Sequence, residues 1–251
     1  MKRALDTKNV DLVKEVLSSC TSKEVLQEFG TKTILDFAFE RTWTTGAIAV
    51  MKFVHPEGWF VPVHNKRTTR SLLFQCFWNN DTALACALRD WRSPDGHAVD
   101  PANMDEGGLR ATASDETASE AGNLPLLEIF IQWVRPNGLS LDIRDEKGGL
   151  LIDAATCRNP DMLKRVLEWR AVVHADAPVA YMDASWNDDT ALVEAVRWGR
   201  PQNVETLLRW VGPQGEKVNP QAWAGSGKPF VAGISPETVS ATQEVLRNHG
   251  G

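Results

Sequence analysis

Apolar residues recur three and four positions apart along most of this chain, and the runs are interrupted by Pro and Gly. Asn9-Val10-Asp11-Leu12-Val13-Lys14-Glu15-Val16-Leu17 shows the pattern, as do residues 123–134, 159–169 and 203–211, and each opens on Asn. The spacing predicts an amphipathic helix in each segment, with Asn as the N-cap that satisfies backbone donors of the first turn. A shorter kind of segment starts at Thr or an equivalent, with Leu or Ile at its third position and a small residue at its sixth. Residues 33–38, 82–87, 150–155 and 190–195 fit it. Small residues let a neighbouring helix approach, so the short segments are expected to be first helices of αα-hairpins whose second helices are the apolar ones.

The chain also repeats itself. Trp78-Asn79-Asn80-Asp81-Thr82-Ala83-Leu84-Ala85-Cys86-Ala87 returns as Trp186-Asn187-Asp188-Asp189-Thr190-Ala191-Leu192-Val193-Glu194-Ala195. A turn signal comes three times after an apolar helical pattern: Val54-His55-Pro56-Glu57-Gly58, Val134-Arg135-Pro136-Asn137-Gly138 and Val211-Gly212-Pro213-Gln214-Gly215. Pro fixes φ, and Gly two positions later is free to take positive φ.

These residues resemble the ankyrin repeat, written G-x-T-P-L-H-x-A-A-x-x-G-[NH]-x-x-x-V-x-x-L-L-x-x-G-A. Residues 189–195 followed by 203–208 look like one copy with its Pro and His replaced. Residues 148–155 and 227–233 are weaker copies, and residues 9–17 resemble the second helix of a capping repeat. First helices are expected to start at 33, 82, 150, 190 and 228, further apart than the family's period of about 33. The excess falls in the connections. Residues 59–64 and 139–145 alternate apolar and polar and suit extended hairpin arms. Residues 92–122 hold seven acidic and two basic side chains and no aromatic ring, the composition of a mobile acidic insertion. The resemblance implies an all-α, ankyrin-like helical-hairpin solenoid with extended β-hairpin fingers, one domain over residues 1–251 interrupted at 92–122.

Charge narrows the function. The 251 residues carry 27 basic and 33 acidic side chains, a net −6, and no run of Lys or Arg exceeds two. Nucleic acid and anionic membrane surfaces need a basic footprint, so neither is expected as partner. No apolar stretch approaches the roughly 20 residues of a membrane span, and the first residues lack the apolar core of a signal peptide. Cys20, Cys76, Cys86 and Cys157 form no C-x-x-C pair, which fits a reduced compartment, cytoplasm or nucleus, or a host cell if the protein is secreted.

Motifs for catalysis are sparse. Ala224-Gly225-Ser226-Gly227-Lys228-Pro229 lacks the first Gly and the final Ser/Thr of a phosphate loop, and G-x-S-x-G, H-E-x-x-H and G-x-G-x-x-G are absent. His55 and His64 could face each other across the first finger, but the solvated reading of these residues is preferred. Helix capping accounts for Asp188 and Asp189. No cofactor, metal site or catalytic residue is expected, and the chain is expected not to be an enzyme.

Ten tryptophans against one tyrosine are unusual. Trp133, Trp169 and Trp210 end second helices and are expected in the core. Trp43, Trp91 and Trp198 each follow an Arg (Arg41, Arg89, Arg197), and in an ankyrin-like stack such a row would border the concave face. Trp and Arg dominate protein-recognition hot spots. With Trp59 and Phe60 at the first finger, these eight residues are the expected contacts of a monomeric, non-catalytic adaptor, scaffold or inhibitor binding a partner protein. Two alternatives are an effector of a pathogen or symbiont capturing a host protein, and an enzyme or small-ligand protein on a helical-repeat scaffold.

Overall fold

Two backbone hydrogen bonds show how the hairpins are built. The backbone N–H groups of Asp81 and Arg200 each reach back five residues, to the carbonyls of Cys76 (2.8 Å) and Ala195 (2.9 Å), and the residue before each has positive φ (Asn80 +57°, Gly199 +59°). This left-handed stop ends the first helix and turns the chain through a loop of only a few residues. Trp43 makes the same bond to Ala38 at 3.2 Å. The residue that ends one helix then starts the next: Asp81 Oδ1 accepts from the Leu84 N–H at 2.9 Å.

The computed structural model describes residues 2–21, 34–35, 38, 43–63, 72–76, 79–103, 123–138, 149–168, 191–211, 215 and 217–250. Their regular structure is helical: α1 (Lys2–Asp6), α2 (Val10–Ser19), α3 (Thr44–Met51), α4 (Thr82–Asp90), α5 (Leu124–Ile131), α6 (Gly149–Thr156), α7 (Pro160–Glu168), α8 (Ala191–Arg197), α9 (Pro201–Arg209), α10 (Ala222–Ser226) and α11 (Pro236–Asn248), with a 3₁₀ turn at Pro101–Asn103. Residues 34, 35, 38 and 72–76 also lie on helical backbone. None of the described helices is long and apolar enough to cross a membrane. The chain divides into two compact units, one of Met1–Gly108 with Gln132–Leu141 and the other of Leu109–Ile131 with Asp142–Gly251.

In the first unit α2 packs on α1 and α3, and α3 on α4. Leu5, Val13, Leu17, Leu35, Ala47, Val50, Leu72, Leu73, Leu84 and Leu88 are fully buried or nearly so. Asn9 caps α2 as expected, its Oδ1 accepting from the N–H groups of Asp11 and Leu12. The phase of one hairpin differs from expectation. Thr82–Asp90 is a second helix, because the helical residues 72–76 precede it and the left-handed Asn80 stands between them. Thr82 follows a capping Asp just as a first helix would, yet Ala83-Leu84 opens a second helix where the matching Ala191-Leu192 opens a first.

In the second unit α6 packs on α7 and α8, α8 on α9 and α10, and α9 on α7 and α11. Leu126, Leu127, Phe130, Leu151, Leu163, Leu192 and Leu207 form the core. Asn123 and Asn159 cap α5 and α7. Asn203, expected as a cap, is instead buried inside α9, which starts at Pro201. Its Nδ2 donates to the carbonyls of Ala155 and Cys157, both at 2.8 Å, and Arg200 Nε donates to the Thr156 carbonyl at 2.6 Å. The loose C-terminal carbonyls of α6 are thereby satisfied by the following hairpin. The helix expected from 228 does not form. Gly227 ends α10 at φ +65°, residues 227–235 are not helical, and α11 begins at Pro236 with Ser235 as cap.

The expected fingers are, among the described residues, tight turns. Val54 pairs with Phe60, Arg92 with Ala98 and Val211 with Lys217, each as an isolated antiparallel bridge. Within them the His55 and Ser93 N–H groups bond the carbonyls of Trp59 (2.8 Å) and His97 (2.9 Å). Of the arms expected at 59–64 and 139–145, residues 59–63 carry only the Phe60 bridge, and 64 and 139–145 lie outside the described residues. The acidic insertion expected from residue 92 is in its first part a built element. Residues 92–98 make one of these turns, Val99 is buried, and Asp100 takes a two-pronged bond from Arg135 (3.0 and 3.1 Å). Residues 104–122 lie outside the described residues.

Candidate functional site

α3 and α4 lie side by side in the first unit, and the turns that follow them extend the furrow between them. Counting from the residue that caps each helix, Ile48, Met51 and Lys52 stand fifth, eighth and ninth after Trp43, while Cys86, Ala87, Asp90 and Trp91 stand fifth, sixth, ninth and tenth after Asp81. Together with Val54, Phe60, Ala83, Arg92 and Pro94 they line an open groove of about 550 Å³. Ala83, Cys86 and Ala87 present only small side chains where α4 faces α3, and this opens the space. Phe60 and Trp91 wall it with rings 6.3 Å apart and tilted by 51°.

The second unit holds a groove of the same construction, smaller at about 360 Å³. Lys164, Leu167 and Glu168 occupy the fifth, eighth and ninth positions after Asn159, and Thr206, Arg209 and Trp210 the sixth, ninth and tenth after Arg200. The charges at the ninth positions are exchanged, Lys52 and Asp90 in one groove against Glu168 and Arg209 in the other. A furrow between successive second helices is thus a product of the hairpin geometry. What distinguishes the first is its small-residue floor and the turn residues at its mouth.

The polar rim of the first groove is unevenly charged. Asp90 is engaged by its neighbour Arg89, with Nε–Oδ1 at 2.9 Å and Nη2–Oδ2 at 3.4 Å. The hydrogen bond from Arg89 holds the Asp90 carboxyl below the usual carboxylate range, burial opposes it slightly, and the charges of Arg89, Arg92 and Lys52 add to the lowering. Arg92 Nη1 donates to the carbonyls of Arg89 (2.9 Å) and Trp91 (2.6 Å), fixing its guanidinium at the end of α4. Lys52 and Arg92 are both exposed.

The expected contact residues differ in their surroundings. Trp43, at 7% exposure, is packed under α3, and Trp91, at 6%, donates its indole N–H to the Met51 carbonyl at 2.7 Å. Trp91 thereby ties its hairpin to the one before it, and it also lines the groove. Trp91 also follows a second helix, whereas Trp43 and Trp198 each stand between two helices. Trp59 turns inward and stacks on His55, 4.7 Å between centroids and 14° between planes, its Nε1 buried without a hydrogen-bond partner among the described residues. His55 in turn bonds the Ser18 carbonyl through Nε2 at 3.1 Å and accepts the Glu57 N–H at Nδ1. Phe60 lines the groove. Arg89 is bound to Asp90, and Arg197 to Glu194 at 2.6 Å. Trp198, at 39%, is the one exposed tryptophan among the described residues, and it lies in the other unit. Arg41 lies outside the described residues, as does His64.

Lys52, Met51, Ile48 and Arg92 are groove residues that the sequence reading passes over. A signal for them exists: Trp91-Arg92-Ser93-Pro94-Asp95-Gly96 is a fourth copy of the turn, and an aromatic residue precedes each copy, at 53, 91, 133 and 210. Val54, Val134 and Val211, at one position of that motif, are all exposed, which puts an apolar side chain at three of the four turns. Among the described residues no group of His, Cys, Asp and Glu is placed to hold a metal ion. No protein-family model, curated protein or solved structure significantly matches this chain.

Proposed function

We propose that this protein is a non-catalytic protein-binding module, an ankyrin-like array of helical hairpins that receives a partner protein in the groove between α3 and α4. The groove carries the reading: an open furrow of mixed polar and apolar lining on a helical frame, walled by aromatic rings and edged by exposed cations, has the composition of a recognition site. Its frame is formed before any partner arrives, so little ordering entropy is lost on binding.

The array is supported by the spacing of its cross-links. Thr44 bonds Asp81, His55 bonds Ser18, Trp91 bonds Met51, Arg135 bonds Asp100 and Arg165 bonds Glu128, at separations of 37, 37, 40, 35 and 37 residues. Each thus joins residues about one hairpin apart, the relation expected of stacked repeats. Four free thiols fit a reducing intracellular compartment.

Affinity capture from a cell lysate tests the reading, comparing the native chain with a Lys52→Glu, Arg92→Glu variant of unchanged helicity. Proteins held by the first and lost by the second are the expected result. If no protein is held, or the same ones come down with both, the groove is not the seat of recognition.

A further inference from the structure

The rim of the α3–α4 groove says which kind of segment it would receive. Asp90 is already bound on both oxygens by Arg89, whereas Lys52 and Arg92 project their charge at the mouth, on a chain whose net charge is −6. The floor has the opposite character, with Ala83 and Cys86 offering apolar surface beside Phe60 and Trp91. Charge at the lip and none at the bottom suits a ligand that is apolar at its tip and anionic along its shoulders. A small polar molecule would want polar partners at the bottom instead.

Resting on the protein-binding reading above, we infer that the groove binds an acidic linear peptide segment of a partner protein, one that sets a large aliphatic or aromatic side chain between Asp or Glu residues. The apolar side chain enters beside Phe60, and the flanking carboxylates meet Lys52 and Arg92. Cys86 lies on the floor and reports occupancy.

A displayed library of random peptides, selected on the full chain, tests this. Enriched sequences are expected to place Leu, Ile, Met, Phe or Trp beside Asp or Glu. Their affinity should fall roughly tenfold on Lys52→Glu and decline with added salt, because rim charges act through screened attraction. Lys52→Glu is read alone as well as with Arg92→Glu, since Arg92 also closes the end of α4. In a Cys20→Ser background the selected peptides should protect Cys86 from maleimide labelling. Enriched peptides that protect Cys86 but are apolar without carboxylates, and bind Lys52→Glu equally well, would overturn the acidic class and leave the groove as a recognition site. Peptides that leave Cys86 labelling unchanged, or no enrichment at all, would overturn both.

Discussion

The indole of Trp43 lies across the first turn of α3 so closely that a Cβ on Gly46 would stand 2.0 Å from its Cε3 atom. Trp43 is buried, and the absence of a side chain at Gly46 makes its place. In an ordinary helix Gly→Ala gains nearly 1 kcal/mol. Here Gly46→Ala is expected to destabilise by about 1–3 kcal/mol, because the ring must move or the helix must shift. A double-mutant cycle with Trp43→Ala checks the cause: once the ring is gone, Gly46→Ala should no longer destabilise.

Asp100 and Arg135 give a pH-dependent contribution. Burial pushes the Asp100 carboxyl up, but the Arg135 hydrogen bond, the Ala102 N–H and the Arg135 charge together hold it below the usual range. The folded state therefore binds this proton less tightly than the unfolded chain does. The stabilisation is complete above the ordinary carboxylate value of about 3.9 and is lost as pH falls through the lower folded value. Asp100→Asn should cost about 1 kcal/mol near neutrality. The urea midpoints of variant and native chain should draw together as the pH is lowered past 4 toward 3. A gap that persists in acid would mean the side chain acts by packing.

Asn203 replaces solvent for the end of α6. Asn203→Ala leaves the Ala155 and Cys157 carbonyls without that donor in a buried place, at an expected cost of about 1–3 kcal/mol. Hydrogen exchange should show the last turn of α6 and the start of α9 opening together. Loosening confined to α9 would contradict the link.

Asn80 and Gly199 stand at the same point of their hairpins with φ of +57° and +59°, but their surroundings differ. A Cβ on Gly199 would meet the Cγ2 atoms of Ile234 and Thr238 at 2.8 Å. Asn80→Gly is therefore expected to change stability by no more than about 1 kcal/mol. Gly199→Asn should lower it by about 1–3 kcal/mol through crowding against α11 and the segment before it. Thermal melting of the two variants separates backbone conformation from contact. Equal losses would sink the argument.

Much of the helical pattern is visible in the sequence because it is local. Asn9, Asn123 and Asn159 cap the helices that follow them, and the Pro-x-Gly signals do mark turns. The phase of 82–90 is hidden because Asp81-Thr82 has the chemistry of any helix start, whichever helix of the pair it opens. Asn203 misleads for a related reason: an Asn ahead of an apolar run reads as a cap, and only the carbonyls some fifty residues earlier explain its burial. The tryptophans mislead because a large ring with a polar N–H suits a core and a surface alike. Trp91 goes inward because the Met51 carbonyl waits for it. The groove is the least legible feature, since Ala83, Cys86 and Ala87 look like a surface for close helix contact, and the gap they leave depends on Met51 and Phe60 elsewhere in the chain.

The hydrogen bonds that tie one hairpin to the next span similar, short lengths of chain, such as 37 positions between Thr44 and Asp81 and 40 between Trp91 and Met51. Among the described residues the side-chain bonds between hairpins close loops of no more than 49 residues, and proteins whose contacts are local fold quickly for their size. Structure begun at any hairpin has its next neighbour within reach, so an emerging chain can consolidate each hairpin while the rest is still being synthesised.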